Sequence, residues 1–282
     1  MKRKVLFVVK IILGISFLNA QELFTESYTL MGSAFELTVV ADDEAEAQEY
    51  IATAKNEIER IEFLISSWDS NSETSSINQN AGIKPVKVSK ELWDLIDRSQ
   101  QISKITSGAF DLTFAAVDRI WKFDGSDVEM PNADLILASV SKIGYHQIQL
   151  NEKKSTVFLP EKGMKIGFGA IGKGYAADRA KQLLMARGVV GGIINASGDI
   201  NTWGTQPDGS PWTIGIINPM NKEKVFSWFS LEHNAVVTSG NYEKFVRIGG
   251  KRYSHIIDPR TGIPSNGIIS CTIFAIKAEL AD

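Results

Sequence analysis

The sequence predicts a single α+β domain, with mixed antiparallel sheets and helices packed against them. Its 282 residues are 44% hydrophobic and 22% charged, an ordinary globular composition that provides for a large buried core. Helical and strand-like segments follow one another without the regular alternation of a parallel α/β sheet. The last third of the chain is mostly strand-like, with turn sequences between the strands. Neither an internal repeat nor a linker divides the chain, which favours one mature domain.

The N-terminus has the pattern of a secretory signal peptide. Basic residues at positions 2 to 4 precede an apolar run through Leu18, and Ala20 offers a small residue for cleavage. We expect residues 1–20 to be the signal peptide and residues 21–282 the domain, in a protein that is periplasmic or attached to the outer face of the inner membrane. Lys10 interrupts the apolar run, which leaves a retained membrane anchor as the alternative. A net charge of -3 without a basic cluster beyond the N-terminus predicts no nucleic-acid binding.

The first part of the domain combines strands with a long helix. The stretch YTLMGSAFELTVVA predicts a strand or hairpin. A helix follows from near Asp42 or Asp43, because apolar residues recur every three or four positions at Ile51, Ala54, Ile58, Ile61 and Ile65. The stretch SSWDSNSETSSINQNAG is rich in Ser and Asn and lacks periodicity, which predicts a long surface loop that contains Trp68.

The rest of the chain alternates between helical and strand patterns. Helices are predicted from Ser89 to about Ile105, after the turn at Gly108, between Pro131 and Gly144, and in a segment that ends at Gly188. Strands are marked by Ile148, Leu150, Val157, Leu159 and Ile166, by the buried run VVGGIINAS, and by the segments around the turns PDGS and IGGKR. Cys271, the only cysteine, is predicted to be a small buried apolar residue of a strand.

A glycine-rich turn, GFGAIGKG, is the strongest local indication of an anion site. Gly167, Gly169 and Gly172 match the dinucleotide pattern G-x-G-x-x-G, but no carboxylate stands at the position where a Rossmann domain binds the ribose. The same stretch fails as a P-loop, because Gly174 replaces the hydroxyl residue that holds magnesium. A helix N-terminus with Lys173 still suits a diphosphate, and the alternative is a tight packing turn.

Several stretches together resemble the ApbE family of flavin transferases. They run in order through the chain: MGSAFEL, SSWDSNSETSSIN, TSGAFDLT, GAIGKGYAADRA, INASGDI, VVTSGNYEKF and RYSHIIDPRTGIP. The resemblance implies a T-fold-like α+β domain that binds FAD and Mg2+ and moves FMN from FAD to a threonine of a partner protein. The long match that begins at Arg252 makes the resemblance specific.

The resemblance also implies roles for individual residues. Those expected to contact the cofactor are Met31 and Trp68 beside the flavin or adenine, Ala109, Phe110 and Asp111 around it, Lys173 near the phosphates, and His255 with Ile256 at the reacting end. Ala170, through its backbone oxygen, and Asp282, through its carboxylate, are expected to bind the metal. The family has another metal ligand one helical turn after this aspartate, and we therefore expect residues 21–282 to be a C-terminally truncated domain whose own activity stays open. The alternative is a protein that cannot assemble a complete metal site.

The chemistry of such a transfer favours one histidine as the base. Cleavage of a diphosphate by an alcohol requires a hard cation at the phosphoryl oxygens and a group that takes the hydroxyl proton. We expect His255 to be that catalytic base, and His146 and His233 to be ordinary surface or strand residues. Asp258 and Arg260 are expected to brace the turn after it.

Two carboxylates and the overall function leave alternatives open. Asp111 is either a helix cap or a cofactor contact, and Asp199 is expected to be a turn carboxylate. The first function is FMN transfer to flavoproteins such as subunits of Na+-pumping NADH:quinone oxidoreductase or Rnf-type complexes. The alternatives are a Mg2+-dependent FAD pyrophosphatase, which produces FMN and AMP, and a non-catalytic flavin-binding protein.

Overall fold

A computed structural model of the chain describes residues 21–117, 120–121, 123–124, 126, 128–232, 234–241 and 244–282. The expected signal peptide, residues 1–20, and His233 lie outside these residues. Within them, no helix has the length and the apolar character that a membrane span requires.

The elements follow one another in the predicted α+β manner. The strands are β1 (Glu22–Leu30), β2 (Ser33–Ala41), β3 (Val86–Lys87), β4 (Gln149–Asn151), β5 (Thr156–Phe158), β6 (Gly192–Ala196), β7 (Asp199–Trp203), β8 (Trp212–Asn218), β9 (Asn221–Leu231), β10 (Ala235–Gly240), β11 (Phe245–Ile248), β12 (Lys251–Ser254), β13 (Ile257–Asp258), β14 (Ile263–Pro264) and β15 (Ser270–Ala275). The helices are α1 (Glu44–Ile65), α2 (Glu73–Gln79), α3 (Lys90–Ile105), α4 (Ala133–Val140), α5 (Gly172–Ala186) and α6 (Ala278–Ala281), with short 3-10 helices at Leu112–Ala116 and Tyr145–Gln147.

An antiparallel sheet in the order β1-β2-β6-β7-β10-β15 forms the centre of the molecule. Alternate side chains along each strand point to the same face. One face packs against α1 and α5 and forms the main core, to which β2 contributes Phe35, Leu37 and Val39 and β6 contributes Ile194 and Ala196. The other face is partly covered by the β8–β9 hairpin, whose Ile214 and Leu231 pack with Val236 of β10.

The long helix α1 confirms the predicted apolar periodicity. Asp43 caps its N-terminus, where the side chain accepts a hydrogen bond of 2.9 Å from the backbone N–H of Glu46. The predicted face is buried, since Ile51, Ile58 and Ile61 are each at most 1% exposed. Burial of such side chains stabilises each by roughly 1.5–3 kcal/mol.

The prediction of a long surface loop after α1 is wrong in part, because this segment contains the helix α2. Ser72 caps this helix by accepting a hydrogen bond of 2.9 Å from the backbone N–H of Ser75. Thr74 is buried, and its hydroxyl donates to the carbonyl of Leu64 at the end of α1 over 3.1 Å. A polar sequence can therefore be buried here because its hydroxyls bond to a neighbouring helix end. Trp68, before α2, is exposed as predicted.

Most other predicted elements are confirmed, with three corrections. The helical segment after Gly108 is a short 3-10 helix, and the buried residues Ile148, Leu159 and Ile166 lie outside the strands. Cys271 is exposed rather than buried. It lies in β15, the last strand in the order of the central sheet, where β10 is its one partner among the strands that the structure describes. Gly188 has φ 89°, the left-handed conformation expected after the end of a helix.

Candidate active site

The predicted glycine-rich turn leads directly into α5. We call residues 167–174 the glycine corner. The N–H of Gly172 donates to the carbonyl of Phe168 over 2.7 Å, which closes the turn. The N–H of Gly174 donates to Asp282 Oδ2 over 3.2 Å. In a regular helix it would donate to the carbonyl of Ala170, four residues earlier. Among the described residues, no N–H donates to that carbonyl, and Ala170 is exposed.

A buried aspartate of α5 fixes the short helix that carries Asp282. Asp178 accepts hydrogen bonds from the backbone N–H groups of Ala278, at 3.0 Å, and Glu279, at 2.9 Å. Its Oδ1 also accepts a bond of 2.6 Å from Asn201 Nδ2. A carboxylate that satisfies the first N–H groups of a helix also complements the helix dipole. The position of α6 against α5 is therefore set by charge-assisted hydrogen bonds as well as by packing.

Lys173 lies between two carboxylates at this junction. Its Nζ is 3.3 Å from Asp282 Oδ1 and is also in ion-pair contact with Asp199 Oδ2. The side chains of both aspartates are buried, at 6% and 7% exposure. Burial by itself lowers the pKa of Lys173, but the charges of Asp282 and Asp199 outweigh it and raise that pKa. Lys173 is therefore a fully charged ammonium at the N-terminus of α5.

Asp199 is the functional candidate that sequence reasoning missed. It is 4% exposed, and burial raises its pKa to about 6 although Lys173 acts in the opposite direction. Its Oδ2 is buried and in ion-pair contact with Lys173 Nζ. The interpretation of Asp199 as a simple turn carboxylate leaves this burial and this contact with Lys173 unexplained. The stretch INASGDI could have indicated it, since Asp199 follows Gly198, which has φ 98° in the turn between β6 and β7.

The segment 106–117 connects the glycine corner to the histidine turn. The N–H of Gly167 donates to the carbonyl of Leu112 over 3.0 Å. A Cβ atom on Gly167 would lie 3.1 Å from Ala115 Cβ, so that only glycine fits against this segment without a shift. At its other end, a Cβ on Gly108 would lie 3.9 Å from Arg260 Cγ. The segment thus packs between both parts of the predicted site.

Asp111 was predicted to be either a helix cap or a cofactor contact, and the structure shows that it is a cap. It is 5% exposed, and its Oδ1 accepts bonds from the N–H of Thr113 at 2.8 Å and from its hydroxyl at 2.7 Å. Its Oδ2 accepts a bond of 2.9 Å from the N–H of Tyr145. These bonds give Asp111 a structural role, and contact between it and a cofactor stays a prediction. Its neighbours Ala109 and Phe110 are exposed and half-buried, respectively.

His255 is exposed at the end of β12, with its ring near the backbone of Lys244. Its Nδ1 lies 3.2 Å from the carbonyl oxygen of Lys244. Because a carbonyl can only accept, this bond requires the hydrogen on Nδ1 and leaves the lone pair of the neutral ring on Nε2. Asp258 and Arg260 brace the following turn as predicted, through side-chain bonds of 2.9 and 2.8 Å. Ile256 is half-buried between them and the histidine.

The structure brings one group of predicted residues together and leaves others apart. Met31 joins the glycine corner, because its Cε is 3.6 Å from the position of a Cβ on Gly172. Its backbone N–H donates to Glu62 Oε2 over 2.8 Å. Trp68 is 85% exposed and makes a backbone bond to Ser66 Oγ at 3.2 Å. His255 stands at the end of β12, and the turn that follows it is approached by the segment 106–117 through Gly108 and Arg260.

Left-handed backbone conformations accumulate in the same motif stretches. Met31, Ser107 and Ser197 have φ values of 51°, 52° and 60°. A side chain in this region is strained by about 1–3 kcal/mol, and such strain persists where the surrounding structure requires it, often at functional sites. Three of the quoted stretches therefore carry strained turns.

The donors at the glycine corner fit a hard divalent cation. They are oxygen atoms only, from the carboxylate of Asp282 and from the carbonyl of Ala170, to which no N–H of the described residues donates. The described residues contain no cluster of three or more His, Cys, Asp or Glu side chains with metal-binding geometry. An oxygen set with few protein ligands suits Mg2+, which keeps several waters, rather than Zn2+.

Comparison with known proteins decides the family. The model of the ApbE family matches residues 31–282. The chain belongs to the ApbE family. The family that the ordered motif stretches predicted is therefore confirmed, and the match spans all residues to which the resemblance assigned a role.

Relatives and solved structures of the ApbE family agree with this assignment. An FAD:protein FMN transferase of Klebsiella pneumoniae strain 342 is 32% identical over 260 residues, which are 92% of this chain and 79% of the relative. The crystal structure of the ApbE protein from Thermotoga maritima has a TM-score of 0.85 at 30% identity and covers 92% of this chain and 84% of that one. The flavin transferase ApbE from Vibrio cholerae, with a TM-score of 0.82 at 24% identity over 93% of this chain and 84% of that one, supports the fold. The expected ApbE-like α+β fold is confirmed.

Proposed function

We propose that the chain is an FAD:protein FMN transferase that moves FMN from FAD to a threonine hydroxyl of a target flavoprotein and releases AMP, with Mg2+ as its cofactor. The observation that carries this proposal is the contact between Lys173 and Asp282 at the N-terminus of α5, within the glycine corner that also contains Ala170. A positive side chain beside helix N–H groups suits the diphosphate of FAD. Curated relatives with this activity align over most of the chain, which supports it further.

The transfer exchanges one phosphorus–oxygen bond for another. The threonine oxygen forms a bond to the phosphorus of the FMN half, and the bridging bond of the diphosphate breaks. AMP leaves with the electron pair of that bond, and the hydroxyl proton passes to His255 Nε2. Lys173 binds the phosphate oxygens from the protein side, while Asp282 and Ala170 hold Mg2+, which supplies charge neutralisation at the phosphoryl group.

The remaining predicted residues would position the cofactor. Met31 and Trp68 border the flavin or adenine, where an exposed indole offers a stacking surface. Ala109, Phe110 and Asp111 lie along the cofactor on the segment that connects the glycine corner to the histidine turn, and Ile256 stands beside His255 at the reacting end. The buried hydrogen bonds of Asp111 keep that segment in place.

We place the reaction outside the cytoplasm, in the periplasm or at the outer face of the inner membrane, because residues 1–20 have the pattern of a signal peptide. The acceptors would be exported or membrane-bound flavoproteins with a target threonine, such as subunits of Na+-pumping NADH:quinone oxidoreductase or Rnf-type complexes.

Mass measurement of an acceptor domain tests the proposal. The protein is incubated with FAD, Mg2+ and a purified acceptor domain, and the acceptor is then denatured and weighed. We expect covalent FMN on the acceptor, and none on an acceptor whose target threonine is changed to valine or in a sample with excess EDTA. Conversion of FAD to FMN and AMP with an unlabelled acceptor would instead identify a pyrophosphatase. Bound FAD without conversion would identify a flavin-binding protein.

Replacement of Lys173 tests the diphosphate contact. We expect Lys173→Ala to weaken FAD binding by roughly 10- to 100-fold, the loss of one hydrogen bond between charged groups. FMN, which lacks the diphosphate, should lose much less affinity. Flavin fluorescence titration measures both, and Lys84→Ala, which removes an exposed lysine in a turn, is the matched control. Equal losses for FAD and FMN would show that Lys173 does not bind the diphosphate.

A further inference from the structure

Lys173 and the divalent cation of the proposed function compete for the carboxylate of Asp282. The ammonium of Lys173 contacts Asp282 and Asp199 at the same time. Under the proposed function, Asp282 must also bind a divalent cation. An ammonium that pairs with a metal ligand competes with the metal for that ligand, because both are positive charges at the same oxygen atoms.

Asp199 forms a second ion pair with this ammonium. It begins β7 in the centre of the sheet, and its neighbours in the turn, Ser197 and Gly198, have left-handed backbones that fix the turn tightly. Its carboxylate is almost completely buried, and its Oδ2 is in ion-pair contact with the ammonium of Lys173. A buried carboxylate is costly unless a positive charge compensates it. Lys173 is that charge.

We propose that Asp199 is a positioning residue whose closer ion pair with Lys173 reduces the competition between this ammonium and a divalent cation for the carboxylate of Asp282. This inference rests on the proposed function. The two carboxylates and the ammonium leave one uncompensated negative charge, which favours entry of a cation at Asp282. Once that cation is bound, the ion pair between Lys173 and Asp199 keeps the ammonium at the glycine corner, where it faces the diphosphate.

The geometry distinguishes this role from direct ligation. The N–H of Gly174 places Asp282 at the first turn of α5. Asp199 approaches the same place from the sheet, and Lys173 Nζ lies between the two carboxylates. Asp199 therefore acts on the cation site through the ammonium, and its effect must vanish when the ammonium is removed.

Metal titration of four proteins in the absence of FAD tests the proposal. They are the wild-type chain, Asp199→Asn, Lys173→Met and the double variant, with Mn2+ as the probe and the free ion measured by electron paramagnetic resonance. We expect Asp199→Asn to weaken Mn2+ binding by about 10-fold or more, as for other residues that orient metal ligands. Lys173→Met should bind Mn2+ at least as tightly as the wild type. In the Lys173→Met background, Asp199→Asn should change the affinity by less than about 2-fold.

Each other outcome has a defined meaning. Equal weakening in both backgrounds would show that Asp199 binds the metal itself and would overturn the proposal. Unchanged binding in Asp199→Asn would overturn it as well, while the proposed function would stand. A wild-type chain that binds no Mn2+ would contradict the metal requirement of the proposed function. Asp208→Asn, which removes a carboxylate from an exposed turn, controls for the change in net charge, and circular dichroism checks that each variant is folded.

Discussion

Replacement of His255 by alanine is expected to slow flavin transfer to the acceptor by at least ~100-fold, the lower range for loss of a general base. The affinity for FAD should stay within a few-fold of the wild type. The expected separation arises because the imidazole takes a proton from the incoming hydroxyl and does not hold the diphosphate. Single-turnover transfer, followed by the mass of the acceptor, measures the rate, and fluorescence titration measures the affinity.

The backbone contact of His255 explains why this side chain suits the task. Its Nδ1 faces the carbonyl of Lys244, so that the neutral ring presents the lone pair of Nε2 for proton transfer. Transfer should therefore require the neutral ring of His255.

His146→Ala is the matched control, since it removes another exposed imidazole. Its transfer rate should equal that of the wild type. If His255→Ala transferred flavin at the wild-type rate, another group would have to be the base. If FAD affinity fell together with the rate, His255 would be a binding residue.

The sequence correctly predicted those secondary-structure elements that are determined by residues within or next to them. The helix α1 was predictable because its apolar periodicity and its Asp43 cap lie within the helix and next to it. The helix α2 was not, because what allows Thr74 to be buried is the carbonyl of Leu64, at the end of another helix. Cys271 was misjudged for a similar reason, since an apolar strand does not reveal whether its neighbours in the sheet cover it.

The candidate site shows the same division. The glycine corner and Lys173 could be predicted as an anion site from a short stretch of sequence. The contact between Lys173 and Asp282 joins residues 109 positions apart, and no spacing rule connects them. Only the resemblance to a family supplied Asp282. Asp199 was missed because its burial and its contact with Lys173 result from the pairing of β6 with β7 and of β7 with β10.

A substitution at Gly174, which packs against α6, is expected to have the second large effect on flavin transfer. We expect Gly174→Ala to reduce the transfer rate by roughly 100-fold, because a displacement of reacting groups by about 1 Å has this cost. A Cβ at this position would lie 2.4 Å from the carbonyl oxygen of Ala278 and 2.8 Å from the N–H nitrogen of Glu279. Both are backbone atoms of α6, so the helix must move by about 1 Å to restore an ordinary contact.

The displacement of α6 would act on the site through Asp282. This residue ends α6, and its carboxylate contacts the N–H of Gly174 and the ammonium of Lys173. Asp178 holds the other end of α6 by two backbone bonds, so that the helix tilts rather than dissociates. The free energy of unfolding should fall by about 1–3 kcal/mol, as for other overpacked cores. The variant should therefore stay folded while Mn2+ binding and transfer are impaired together.

Transfer kinetics, Mn2+ titration and urea denaturation of Gly174→Ala separate these effects. Met185→Ala, on the exposed side of the same helix, should transfer flavin normally and change the free energy of unfolding by no more than about 0.5 kcal/mol. Wild-type transfer by Gly174→Ala would mean that the reaction does not depend on the position of Asp282. Impaired transfer with normal Mn2+ binding would mean that the glycine serves the diphosphate rather than the cation.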